Sequence, residues 1–261
     1  MKTTTLLFAS IVLLLSCKNN NQQAQPKNTD LVQRNLKGAV QHTIETPYKA
    51  DSTGNTIAMD SCCVETYELN DSGYITKYTS KNDSNITNTE QTLIHYPNGA
   101  MKDITIMNNG KFTNRVTPTI DENGNYTGGM SYDSTSKQDG YYTDMKQNDF
   151  GELTNGKLYK MDSTLKYHFE ENYDNKGQYL GGRTDSAGKV IYTNITTLDS
   201  SGNPVKMITT TMVKDSAKND TTLYRYDKYD EQGNWIQRTT LTASGKPTKI
   251  TKREITYYKK Q

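Results

Sequence analysis

At 261 residues and a formal charge of +2, the chain scatters its Lys and Arg instead of gathering the basic face that phosphate backbones require, which excludes nucleic acid as the main partner. Only 32% of the residues are hydrophobic even with 19 tyrosines counted, so the core is thin, and the abundant Thr and Tyr suit sheets with one face buried and one wet. The near-zero net charge removes the second condition for disorder in so apolar-poor a chain.

Residues 1–16 read as an export signal: Met1-Lys2 supplies a charged start, Leu6 to Leu15 is apolar except for Ser10, and Ser16 is small. That run is too short for a bilayer, which takes roughly 20 residues. Leu14-Leu15-Ser16-Cys17 resembles the bacterial lipobox. The resemblance implies cleavage before Cys17, acylation of that cysteine, and a membrane partner reached through lipid, where each buried methylene contributes about 0.8 kcal/mol. Residues 17–35 form a polar tether, Asn- and Gln-rich from Lys18 to Asp30, reaching on the order of 20 Å. A short helix is expected near Leu31 to Val40. The stretch after Cys17 lacks the acidic residues associated with surface export in similar Bacteroidota lipoproteins. That favours the periplasmic side of an outer membrane.

Residues 36–261 form one repeat body. Glycines at 73, 99, 110, 124 and 151 recur at 151, 177, 188, 202 and 233, and four of them are offset by 78, an internal duplication. The unit is an Asp, two residues, a Gly and then alternation, as in Asp121-Glu122-Asn123-Gly124 and Asp230-Glu231-Gln232-Gly233. Asp favours the first turn position, and Gly supplies the positive φ that returns the chain to a ladder. Between turns the period is two, as in Val205-Met207-Thr209-Thr211-Val213. The expected fold is all-β, an antiparallel meander of repeated β-hairpins forming a twisted open sheet or a thin sandwich.

Cys62-Cys63 leaves three readings open: strand thiols, a vicinal or intermolecular disulfide in an oxidising compartment, or metal and redox chemistry. Neighbours on a regular strand point to opposite faces, which favours the first.

Tyr229-Asp230-Glu231-Gln232-Gly233-Asn234-Trp235 and Tyr173-Asp174-Asn175-Lys176-Gly177 resemble the YD repeats of Rhs-like proteins, and His95-Tyr96-Pro97-Asn98-Gly99-Ala100-Met101-Lys102 resembles a MORN-variant repeat. The resemblance covers roughly residues 48–250 and implies a hairpin fold in a small Bacteroidota lipoprotein, not an activity.

No metal or cofactor is expected, and no catalytic motif stands out. His42, His95 and His168 are far apart in sequence, and the Asp-rich turns lack the ligand alternation of a calcium loop. Asp followed by Ser or Thr resembles the O-glycosylation acceptor of Bacteroidota, which makes Ser52, Ser61, Ser134, Ser163, Ser186, Ser216 and Thr221 candidate glycan sites. Tyr141, Tyr142, Tyr224, Tyr226, Tyr229 and Trp235 are candidates for a stacking platform. The expected function is a non-catalytic envelope scaffold that binds an envelope protein. A glycan-binding module and a hydrolase with a cross-strand site are the alternatives.

Overall fold

The computed structural model describes residues 29–147, 153–173, 179–213 and 216–259. The signal, Cys17 and the first part of the tether lie outside the described residues. A four-residue helix α1 (Asp30–Gln33) precedes the strands β1 (Val40–Ala50), β2 (Thr56–Met59), β3 (Cys62–Leu69), β4 (Ile75–Asn82), β5 (Thr87–His95) and β6 (Met101–Asn108). Then follow β7 (Lys111–Ile120), β8 (Tyr126–Tyr132), β9 (Gln138–Gln147), β10 (Leu153–Lys160), β11 (Leu165–Tyr173) and β12 (Tyr179–Asp185). The last five are β13 (Val190–Leu198), β14 (Pro204–Val213), β15 (Ser216–Tyr229), β16 (Trp235–Thr242) and β17 (Pro247–Tyr257).

From β3 onward each strand pairs antiparallel with the next, and β1 pairs with both β3 (Thr43↔Tyr67) and β17 (Thr43↔Ile255). The sheet therefore closes into a barrel of sixteen strands, with the short β2 continuing the ladder on the far end of β1 through Tyr48↔Met59. Closure overturns the expected open sheet or thin sandwich. An open meander would leave the edges of its first and last strands unpaired, whereas here the two edges satisfy each other.

The connections explain the repeat. At one end Asp121 Oδ1 accepts from the N–H groups of Asn123 and Asn125 at 2.9 and 2.8 Å while Gly124 N–H donates to the Asp121 carbonyl at 3.0 Å. Asp199 and Asp230 repeat this arrangement. Gly124 sits at φ +83°, which a side chain rarely adopts. The turns at 70–73, 96–99, 121–124, 199–202 and 230–233 share this end. Those at 51–54, 82–85, 133–136, 160–163, 185–188 and 242–245 form the other.

Thr29 to Lys37, on both sides of the boundary expected between residues 35 and 36, lies across the first mouth. Thr29 caps α1, shorter than the helix expected from Leu31 to Val40. Leu31 N–H donates to the Gly73 carbonyl at 3.1 Å, and the Asp30 carboxylate accepts from Ile75 N–H at 2.6 Å. Farther round the rim, the Asn35 amide donates to Ser201 and Asn203, and Lys37 N–H donates to Asn234 at 2.7 Å. Leu31 and Leu36 complete an apolar cluster with Val40, Leu69, Ile75 and Leu93. Burying two leucines contributes about 3–6 kcal/mol, enough to hold a short segment that hydrogen bonds alone would not order.

Cys62 and Cys63 are joined to each other in a vicinal disulfide, not held as separate strand thiols. They lie where the β3–β4 register shifts between Cys62↔Asn82 and Val64↔Lys81. That bulge interrupts the alternation on which the expectation of free thiols rested.

Candidate functional site

The register separates two faces of the wall. On β1 the residues facing inward are Thr43, Glu45 and Pro47, all buried, and cross-strand pairing carries that face to Tyr67 and Glu65, to Tyr78 and Ser80, and to Arg253 and Thr251. It continues to Arg238 and Tyr226, and round the far wall to Tyr142, Leu158, Tyr167, Arg183 and Tyr192. These stretches of the interior are lined largely by tyrosines and arginines, while β5, β6 and β7 add the aliphatic residues Leu93, Ile104, Ile106 and Val116 to the same face.

Its most ordered part lies below the N-terminal segment. Glu45 Oε1 accepts from Arg253 Nε at 3.0 Å and Nη2 at 2.7 Å, and from Arg34 Nη2 at 3.3 Å. Arg34, just after α1, stacks 3.5 Å from the Tyr67 ring centroid, and Tyr67 and Tyr78 donate to Glu65. Burial raises the Glu45 pKa, but Arg253, Arg34 and Arg238 outweigh it and hold the carboxyl down to about 2. Burial brings Arg253 down to about 10. Asp30 behaves oppositely: burial pushes its carboxyl up to about 6 despite the Ile75 hydrogen bond and the Arg34 charge.

On β16 and β17 the same face carries Trp235, Arg238, Lys249 and Arg253. The Arg253 guanidinium lies 3.4 Å from the Trp235 ring centroid, and that of Arg238 lies 4.8 Å from both Trp235 and Tyr224. Arg238 has no carboxylate at ion-pair distance among the described residues. Arg238 Nε, Thr240 Oγ1 and Arg253 Nη1 are buried without a hydrogen-bond partner among those residues.

The six aromatic candidates do not form one platform. Tyr141 and Tyr142 are neighbours on β9 and face opposite sides: Tyr141 stacks on Tyr159 outside at 5.4 Å, while Tyr142 pairs with Leu158 inside. Tyr224, Tyr226 and Trp235 face inward, with arginines on the rings of Tyr224 and Trp235 and Tyr226 packed against Trp235 at 5.8 Å. Tyr229 alone is largely exposed, at 48%. The histidines stay apart: His42 and His168 face outward, and His95 stacks on Tyr74 at 5.1 Å.

Ser52, Ser134, Ser163 and Ser186 are exposed in turns at the end away from the N-terminal segment, and Ser61 and Ser216 are exposed nearby. Thr221 is half-buried on β15. The preceding carboxylates of Asp51, Asp133, Asp162 and Asp185 are occupied by turn N–H groups. Sequence reading missed Arg34, Glu45, Arg238, Lys249 and Arg253. Glu45 and Arg253 stand 208 positions apart, so no local spacing announces them.

The outward face is polar at mid-strand. Lys77 pairs with Glu90 at 3.0 Å, Arg115 with Asp103 at 2.7 Å, and Lys157 with Asp144 at 2.8 Å, while Lys252 lies 4.9 Å from the Tyr48 ring.

No protein-family model matches the sequence, and comparison with curated proteins finds no relative. The barrel is shared. A crystal structure described as a porin-like protein from Bacteroides uniformis superposes with a TM-score of 0.55 at 14% identity, over 84% of this chain and 99% of that one. A porin-like protein from Bacteroides vulgatus aligns over 84% of this chain and 98% of its own, with a TM-score of 0.38 at 11% identity. An outer membrane lipoprotein-sorting protein domain from Vibrio parahaemolyticus aligns over 84% and 87%, with a TM-score of 0.27 at 10% identity. The last two are too distant to argue from, and the first establishes the barrel fold alone.

Proposed function

We propose that the chain is a non-catalytic envelope lipoprotein whose barrel stands in water beside a membrane, held there by lipid on Cys17, and binds through its lumen and rims. The observation that carries this reading is the outward face. A membrane-spanning barrel presents an apolar band about 25 Å tall. Here Lys77, Arg115, Lys157 and Lys252 fall near the middles of β4, β7, β10 and β17 on that face. At about 2–4 kcal/mol for each cation at the bilayer midplane, the four would oppose insertion by on the order of 10 kcal/mol. The name porin-like, given to the Bacteroides uniformis neighbour, therefore transfers to this chain as a barrel and not as a pore through lipid.

Binding is favoured over catalysis by the state of the interior acids. Glu45, at the centre of the ordered part of the interior, is held ionised by its arginines and so is not poised to exchange a proton near neutral pH. The test is fractionation of cells carrying wild type or Cys17→Ala. Wild type is expected in the membrane pellet and the variant in the soluble fraction. Retention of Cys17→Ala in membranes after washing with alkaline carbonate would overturn the proposal.

A further inference from the structure

The inner wall of β16, β17 and β1 is cationic beyond what its acids neutralise. Arg238, Lys249 and Arg253 face the lumen there, and Glu45, already shared between Arg253 and Arg34, is the acid on that stretch. Arg238 and Lys249 form no ion pair among the described residues. Arg238 is a long side chain fixed between two aromatic rings, so its charge is held in place and not free to swing into solvent.

Among the described residues, four polar atoms along this wall, Thr43 Oγ1, Arg238 Nε, Thr240 Oγ1 and Arg253 Nη1, are buried without a hydrogen-bond partner, and the last three belong to β16 and β17. Arg238 and Thr240 are two apart on β16 and so share a face, and Arg238 and Thr240 pair with Thr251 and Lys249 on β17. A buried N–H without an acceptor costs about 1–3 kcal/mol, more when charged, and native structures leave few such groups. The register thus sets a guanidinium, a hydroxyl and a lysine on one face of two adjacent strands, donor types that suit the oxygens of a carboxylate or phosphate, which accept from several donors at once.

We infer that the lumen holds an anion site on Arg238, Thr240, Lys249 and Arg253 for a small ligand bearing a carboxylate or phosphate group. The N-terminal segment lies across one mouth, so the ligand enters past the opposite rim. Arg34 comes from that segment and shares Glu45 with Arg253, so the segment braces the site without touching the ligand. This rests on the reading of the chain as a binding barrel, but its test needs no membrane.

Mature Cys17→Ala protein would be titrated with inorganic phosphate and, separately, with acetate, by calorimetry at fixed ionic strength and constant chloride. Saturable binding of one is expected, tighter phosphate pointing to a phosphate-bearing ligand and tighter acetate to a carboxylate. Arg238→Gln should weaken it about tenfold, the equivalent of one charge-assisted hydrogen bond. Lys249→Gln, which leaves the Glu45 network intact, should weaken it less while preserving the melting temperature, and it covers the case in which Arg238→Gln fails to fold. Lys206→Gln on the outer wall should change nothing. No saturable binding of either anion, or equal binding by wild type and Lys249→Gln, would overturn the inference while leaving the lipoprotein reading standing.

Discussion

Replacing Glu45 by Gln tests whether the N-terminal segment is locked to the barrel through a buried charge. In the folded protein this carboxylate accepts three hydrogen bonds from Arg253 and Arg34, and its pKa falls from 4.5 to about 2. A depressed folded pKa adds stability that is present above the unfolded value and is lost as pH falls from about 4.5 toward 2. About 2.5 pH units correspond to roughly 3 kcal/mol, in line with the 3–5 kcal/mol typical of breaking one side of a buried ion pair. For a body of this size that is a fall of about 6–12 °C in melting temperature. The assay is thermal unfolding of mature Cys17→Ala protein followed by circular dichroism at pH 7 and pH 3. The wild type should lose stability on acidification across that window, whereas Glu45→Gln should start low and show a smaller loss. A variant within about 0.5 kcal/mol of wild type at pH 7 would refute the reasoning, because the charge would then be solvated or replaceable.

Two further changes probe the same segment. Asp30→Asn should act in the opposite direction: a carboxyl raised from 3.8 to about 6 favours the folded state below 3.8 and loses that preference as pH climbs to about 6, so the variant should remove a fall of roughly 3 kcal/mol between those values, read from urea midpoints across the range. Leu31→Ala removes a side chain only 6% exposed and should cost about 2–5 kcal/mol locally, read as faster proteolysis before residue 40 with the barrel's circular dichroism retained; unchanged cleavage would mean that the segment is held by its hydrogen bonds alone.

The turns were legible because their chemistry is local: an Asp carboxylate reaches N–H groups two and four residues ahead, and Gly takes the positive φ, as at Asp121 and Gly124. Closure was not, since it depends on pairing Val40 with Tyr257, and nothing between those residues reports it. Which face turned inward was also hidden. Both faces are polar, and alternation on β17 sets Lys252 and Glu254 outside against Thr251 and Arg253 inside, two sets with the same hydrophobicity. Thr29 to Asn35 fell within the expected tether because the ordering of this segment rests on Leu31 and Leu36 meeting partners from β3, β4 and β5. That Tyr141 and Tyr142 could not share a platform, by contrast, was already implied by their adjacency on a strand.

Joining the first strand to the last also sets an order of events. Each hairpin from β3 to β17 can form as soon as its own residues are available, but β1 must keep an edge unpaired until Tyr257 arrives. A chain that crosses a membrane from its amino terminus therefore exposes an unpaired strand edge for most of its passage, and the seam between β1 and β17 is the step at which a chaperone of extended chains would matter most.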